Sequence, residues 1–393
     1  MSRICVLLDN NFSSDDRVKI ECLALIEGGH EVTLYALKGC SLLEEEEMGG
    51  IKIRRVFGSA LTAPYRREWK NFEKAFVGDI SSMDYDIIHC HDFNMVPMGV
   101  AIKRKTDAEF GKKIKVVYDS HEYLRGYKYY MRSSGAWNIL KGKIVWNWYL
   151  YKEERSLGHI DALITVSESI IEEFKKRLPS NVPTELIRNM PSVVKRAQKG
   201  QKYFHDHFDL PHLAKLIIHT GNTFFSEERY RWLSRLLEEN ENYYLVFLGS
   251  QASIDALKKM QKAEGLSSRI LFHPQVPRDQ ITFYCSMADI GLVYTWNPKW
   301  KSYWFAAPNK LMDVALAGLP LLTTSQPELK RFIEINKNGC FFDGDDYNKL
   351  VDAFKKLTQN MAEYKSGAKE VTSKYHWGDE KKKLLDLYAK LTS

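Results

Sequence analysis

Two doubly wound α/β domains facing a cleft are what this sequence predicts, on three observations: chain length, two rounds of strand and helix patterns, and a polar, proline-containing break between them. With 393 residues the chain is too long for one ordinary domain and suits two, each with its own core. An apolar content of 44% with 27% charged residues fits a globular protein.

The first round opens with a strand over 3–9, a helix over 16–28 that glycine closes, and a strand over 30–36. Further strands are expected at 51–57, 86–90, 115–119, 161–166 and 184–189. Their apolar runs are continuous rather than alternating, which implies a parallel sheet covered on both faces. Around 189–213 the pattern lapses into a polar, basic stretch with Pro191 and Pro211, read as a linker. A second round follows, with strands at 215–220, 243–249, 269–274, 290–295, 319–324 and 340–343. The expected division is an N-terminal Rossmann-like domain over 1–190, a linker over 191–213 and a second such domain over 214–375. A C-terminal helix over 376–393 should pack back toward the N-terminal domain.

The net charge is +7, and residues 103–155 alone carry 13 Lys/Arg against 6 Asp/Glu. The basicity is therefore regional. No nucleic-acid motif accompanies it, which leaves an anionic membrane surface or an acidic ligand as partner. Six scattered cysteines without a C-x-x-C pair indicate neither a disulfide framework nor a zinc ribbon and fit a reducing compartment. No signal-peptide layout opens the chain, and no run approaches the roughly 18 apolar residues of a spanning helix. A cytoplasmic protein, at most peripheral to the inner face of a membrane, is expected.

In open parallel sheets ligands bind beyond the carboxyl ends of the strands. After the first strand, the polar loop from Asp9 to Arg17 runs into a helix. Asp16 and Arg17 there can meet a polyhydroxyl or anionic acceptor, or the loop simply caps the helix through Ser14 or Asp15. His89 and His91 share a strand face as a metal pair would, yet no third ligand stands at recognisable spacing, so no metal is expected. His91 and Asp92 are read as acceptor-binding, His89 as structural. His121 and Glu122, after the next strand, are the catalytic candidates, with His121 touching the sugar or a developing charge and Glu122 orienting it.

In the second domain, Gly221 and Asn222 let backbone approach a ligand. Arg229, or its rival Arg231, can fork onto a diphosphate. Pro308 opens a helix that Gly318 closes, so Asn309 and Lys310 occupy a first turn suited to a diphosphate. Asp313, one turn on, can accept hydrogen bonds from a ribose, or simply complements the helix dipole.

These stretches resemble a known family. Asp16-Arg17-Val18, Gly29-His30-Glu31-Val32-Thr33, the run 85–92, the run 117–122, the run 161–168, Ile187-Arg188-Asn189, the run 288–293 and Pro308 through Pro320 together are similar to the retaining GT-B glycosyltransferases often called family four. The resemblance implies transfer from a nucleotide-diphosphate sugar without a metal and with retention of configuration. By that likeness the acceptor lies on the N-terminal domain, His121 near the transferred sugar, Gln275 and Val276 at the nucleotide base, Asn309 and Lys310 at the phosphates and Asp313 at the ribose. No cofactor is implied beyond the donor substrate, a UDP- or GDP-sugar; a saccharide or lipid-linked acceptor in surface polysaccharide or glycolipid synthesis is the expected partner. Three departures stand out. Phe305 occupies the place of the family's first glutamate, the shorter Asp313 that of the second, and no lysine follows the Gly-rich turn as the family's usually does.

Between Tyr123 and Tyr151, aromatic residues alternate with Arg125, Lys128, Arg132, Lys141 and Lys143. Trp137, Leu140, Ile144, Trp148 and Tyr151 recur at helical spacing, which suits either a membrane interface or a helix packed on the sheet. Three rival readings remain: a non-catalytic subunit that binds a nucleotide sugar, a nucleotide-sugar epimerase, and a metal-dependent transferase using Asp343 and Asp345. The last pair precedes a helix, where acids act as caps.

Overall fold

The computed structural model describes residues 1–13, 15–38, 41–57, 74, 76–126, 136–198, 200–221 and 226–392. The chain forms two compact units, one of residues 1–188, 299–306 and 378–393 and the other of residues 189–298 and 307–377.

The first unit is built on an eight-stranded sheet: β1 (Arg3–Leu7), β2 (Glu31–Leu37), β3 (Glu45–Met48), β4 (Ile51–Phe57), β5 (Ile87–His91), β6 (Lys115–Ser120), β7 (Ala162–Thr165) and β8 (Thr184–Leu186). Its order is β3-β4-β2-β1-β5-β6-β7-β8, doubly wound, and the winding reverses between β1 and β5. All pairs are parallel except β3 with β4. Strands such as Ile-Ile-His-Cys-His in β5 are buried on both faces, which is why they read as continuous runs.

The sequence reading missed β3. Its residues, Glu-Glu-Glu-Met, carry no strand pattern, but Gly49 and Gly50 both take positive φ (59° and 88°) and turn the chain back onto β4. Arg55, buried within β4, fixes this edge by donating to the carbonyls of Asn11 (2.9 Å) and Leu43 (2.8 Å) and to Glu46 (3.1 Å).

The helix Asp16–Glu27 is capped by Asp15, whose side chain accepts from the Val18 N–H. Its cap is thus the second of the two residues expected; Ser14 lies outside the described residues. The C-terminal helix Trp377–Thr392 belongs to this unit and buries Leu384, Leu387 and Tyr388.

The second unit holds a six-stranded, wholly parallel sheet of β9 (Lys215–Thr220), β10 (Tyr243–Gly249), β11 (Ile270–Pro274), β12 (Ile290–Val293), β13 (Leu321–Thr324) and β14 (Gly339–Phe342). The order β11-β10-β9-β12-β13-β14 reverses between β9 and β12.

Two boundaries differ from the sequence reading. Residues 191–213 are no free linker: Phe204, on the short helix Tyr203–His207, is wholly buried in the second unit's core with Leu216 and Ile218, a burial that stabilises by about 2–3 kcal/mol. The helix Lys301–Phe305, assigned from sequence to the second domain, belongs to the first unit. Phe305 packs against Tyr123 with ring centroids 5.9 Å apart, and its carbonyl accepts from Ser167 Oγ at 2.7 Å.

Candidate active site

In the first unit, polar side chains gather where the winding reverses, at the carboxyl ends of β5 and β6. Asp119 is fully buried. A carboxylate there needs a cation, and Arg17 supplies it from the helix after β1: Nη2 lies 3.1 Å from Asp119 Oδ2 and 3.0 Å from Glu21 Oε1, while Nη1 donates to the Ile187 carbonyl at 2.9 Å. Arg17 is thus turned inward, a correction to its expected role as an acceptor-binding arm. His91 is corrected likewise. It is 1% exposed, with its ring stacked on His89 at 4.3 Å.

His121 and Asp92 are the partly exposed members. Asp92 adopts a left-handed φ of 63° at the strand-to-helix junction and accepts from the His121 N–H at 3.1 Å; its Oδ2 lies 3.4 Å from His121 Nδ1. His121 Nε2 lies 3.4 Å from Asp119 Oδ2 and 3.1 Å from Arg17 Nε. Burial alone would lower the His121 pKa, but Asp92 and Asp119 outweigh it and raise it to about 9. Two demands compete for Nε2, since accepting from Arg17 needs a bare nitrogen. With two carboxylates against one guanidinium, the imidazolium prevails at neutral pH, Nδ1–H toward Asp92 and Nε2–H toward Asp119.

Burial raises the Glu21 carboxyl to about 8, against the pull of Arg17, so it is protonated at neutral pH. For Asp119, Arg17 and His121 overcome burial and hold the pKa well below the ordinary carboxylate range. Burial lowers both His89 and His91, which stay neutral. Glu122 is exposed; Asp92 and Asp119 face the two nitrogens of the His121 ring and orient it. Asp16 opens its helix, half-buried, and forms no hydrogen bond to this cluster.

Among the described residues Glu21, His89, His91 and Asp119 offer ligand atoms within 4.8 Å of one another, a set a divalent ion accepts. The spacing of the two histidines hinted at this pair, but Glu21 and Asp119 come from other elements and carry no local signal. Arg17 Nη2 lies between the Asp119 carboxylate and the protonated Glu21 carboxyl and already provides a positive charge there. From the C-terminal helix, Tyr388 Oη reaches His89 Nδ1 at 2.6 Å.

In the second unit the corresponding reversal lies between β9 and β12. Gly221 follows β9 with φ of 79°, a conformation glycine takes without strain; Asn222 lies outside the described residues. Lys310 stands in the first turn of the helix Asn309–Leu316, half-buried, its Nζ 3.2 Å from His219 Nε2. Burial lowers its pKa to about 8, with Asp313 opposing. Asn309 is exposed at the helix start.

Asp313 is 3% exposed, and its Oδ1 accepts from Arg278 Nη1 at 2.5 Å. The sequence reading missed both His219 and Arg278: a histidine inside a strand and an arginine in a turn have no distinctive spacing. Of the two rival arginines, Arg229 turns inward, donating to the Trp296 carbonyl at 2.7 Å with its guanidinium 5.8 Å from the Tyr294 ring centre. Arg231 pairs with Glu264 on the surface. Gln275 is exposed and Val276 buried in the turn after β11. Asp343 accepts from Ser325 and Lys349, and Asp346 caps the helix that follows.

Of the expected stripe, Leu140, Ile144 and Tyr151 are exposed on the helix Ala136–Leu157, whose opposite face buries Trp146, Glu153 and Leu157. Those three are therefore not packed on the sheet, whereas Trp148 is half-buried with its ring 5.3 Å from that of Tyr149; Trp137 and residues 127–135 lie outside the described side chains. Among the described residues no helix is long and apolar enough to cross a membrane. The five described cysteines are free and buried.

Comparison with known proteins agrees with this architecture. An uncharacterized glycosyltransferase of Methanocaldococcus jannaschii is 23% identical, covering 94% of this chain and 93% of its own. Sucrose-phosphate synthase from Thermosynechococcus elongatus superposes with a TM-score of 0.73 at 13% identity, over 100% of this chain and 99% of that one. Anabaena HepE, in complex with UDP-glucose, does so with 0.70 at 14% identity, over 99% and 100%. Residues 19–190 match the model of Glycosyltransferase Family 4 and residues 227–372 that of Glycosyl transferases group 1. With both halves of the fold and both matches in agreement, the chain is a glycosyltransferase of the group 1 family, built on the GT-B fold.

Proposed function

We propose that this glycosyltransferase moves a sugar from a UDP- or GDP-sugar to a saccharide or lipid-linked acceptor, with retention of configuration and without a metal, in surface polysaccharide or glycolipid synthesis in the cytoplasm. One observation carries the donor reading: Lys310 sits in the first turn of a helix, where the dipole already favours anions, and no described carboxylate lies within ion-pairing distance of it. A diphosphate answers that charge. Gly221, Asn222 and Arg229 are its further expected contacts, Gln275 and Val276 are assigned to the base, and Asp313, held by Arg278, to the ribose. The likeness to HepE, which binds UDP-glucose, supports a uridine donor.

On the acceptor side His121 and Asp92 present a cation and a carboxylate to sugar hydroxyls, and Asp16, from the first turn of its helix, is the further acceptor contact. The exposed stripe Leu140, Ile144 and Tyr151, flanked by Lys141 and Lys143, supports peripheral docking on an anionic membrane and hence a lipid-linked acceptor. Thermal-shift and turnover measurements with UDP-, GDP-, ADP- and CMP-sugars, each with and without chelator, test the whole reading. A stabilising donor whose turnover survives chelation is expected; no response to any of the four defeats it. Phe305 favours a second reading, a subunit that binds a nucleotide sugar without turnover, because it docks an aromatic ring where the family has an acid. Binding of a nucleotide with no transfer or hydrolysis would select it.

A further inference from the structure

His219 is 0% exposed at the end of β9, and its Nδ1 donates to the Leu292 carbonyl on β12 at 3.0 Å. That bond fixes the tautomer, leaving Nε2 as an acceptor. The atom in front of Nε2 is Lys310 Nζ, at 3.2 Å.

This pairing runs against local preference. A lysine in the first turn of a helix opposes the dipole, and partial burial beside a neutral ring adds to the cost. The acid nearest to Lys310 is Asp313 on the same helix, and its Oδ1 holds Arg278. On β9, His219 is the titratable neighbour; burial and then Lys310 hold its pKa well below the ordinary histidine value, so it remains a neutral acceptor. Next to it, Thr220 Oγ1 is buried without a hydrogen-bond partner among the described residues. Such a cost persists where an anion removes it.

We propose that His219 is a positioning residue for Lys310: its Nε2 holds the lysine Nζ at the switch point of the second sheet, where a nucleoside diphosphate then takes that nitrogen as its cationic partner. The inference rests on the donor reading above. Lys310 thereby fills the place of the phosphate lysine missing after the Gly-rich turn, reached from the helix rather than from the loop. Because burial lowers Lys310 to about 8, binding of the diphosphate draws a proton onto it near that pH.

The test is calorimetric titration of the full chain with UDP and with GDP between pH 6.5 and 9.5, in two buffers of different ionisation enthalpy. Wild type should take up about half a proton per nucleotide at pH 8 and lose about tenfold in affinity per pH unit above it. His219→Leu removes the acceptor and sets an apolar side chain against the ammonium, which disfavours the charged form; the alkaline limb should move down by about one pH unit, with affinity about tenfold lower at pH 7. His219→Gln, which restores an acceptor oxygen, should recover most of that loss. Tight binding with no proton uptake at pH 8, or a limb that stays put in His219→Leu, overturns the inference while leaving the donor reading intact. Binding of neither nucleotide defeats the donor reading and the inference with it.

Discussion

Arg17 and Asp119 stand 102 positions apart in the chain and meet with Nη2 3.1 Å from Oδ2, closing a buried ion pair beneath His121.

Removing one partner of that pair should be severe. Asp119→Asn strands the Arg17 guanidinium, 11% exposed, and is expected to cost about 3–5 kcal/mol in denaturant unfolding. Glu21→Gln, only two bonds of the network away, should cost under about 1 kcal/mol, because Glu21 is already protonated at neutral pH. Equal losses for the two variants would refute the assigned protonation states.

The same cluster sets a pH dependence. His121 is raised to about 9, so its stabilising contribution is complete below the unfolded value near 6.5 and is lost as pH rises through 9. Glu21, raised by burial to about 8, adds a loss of the same sign between its unfolded value near 4.5 and 8. Unfolding free energy should therefore fall by about 2–3 kcal/mol from pH 6.5 to 8, and His121→Gln should flatten much of that slope. A curve that rises over this window contradicts the assignment.

Tyr388→Phe tests the bond from the C-terminal helix to His89. Loss of a buried hydrogen bond is expected to cost about 1–2 kcal/mol in thermal or chemical unfolding, with the ring's packing retained.

Gly126 lies so close to the helix Lys301–Phe305 that an added Cβ would stand 2.2 Å from the Ser302 nitrogen. Gly126→Ala should cost about 1–3 kcal/mol and speed amide exchange in residues 301–306. Unchanged protection there would show that the backbone accommodates the methyl group.

The two arginines of the helix Glu227–Glu238 should separate cleanly. Arg229→Ala is expected to weaken nucleotide-diphosphate binding about tenfold, whereas Arg231→Ala, which breaks a surface pair, should change it less than about twofold. Calorimetry with UDP and GDP reads both.

Both sheets were legible in the chain because buried parallel strands are apolar on both faces, and Ile51–Phe57, Lys215–Thr220 and Tyr243–Gly249 fall where the sequence places them. The strand Glu45–Met48 was hidden because its cause lies in two neighbouring glycines and in Arg55, not in its own residues. Among site residues, strand ends drew attention to His91, Asp92 and His121, yet the sequence could not tell inward from outward. That choice is made by Asp119, whose burial draws Arg17 down and leaves Asp92 and the edge of His121 partly exposed. Arg278 and His219 were silent for a similar reason, since each is defined by a partner 35 or 91 positions away.

The first unit collects segments from both ends of the sequence and one from its middle, so the polypeptide passes between units after Arg188, Pro298, Ala306 and Trp377. During synthesis the half begun first is therefore the last to be finished, since Leu384, Leu387 and Tyr388 can seal its face only once the final helix has left the ribosome. Until then the apolar surface that those three side chains cover stays open to water.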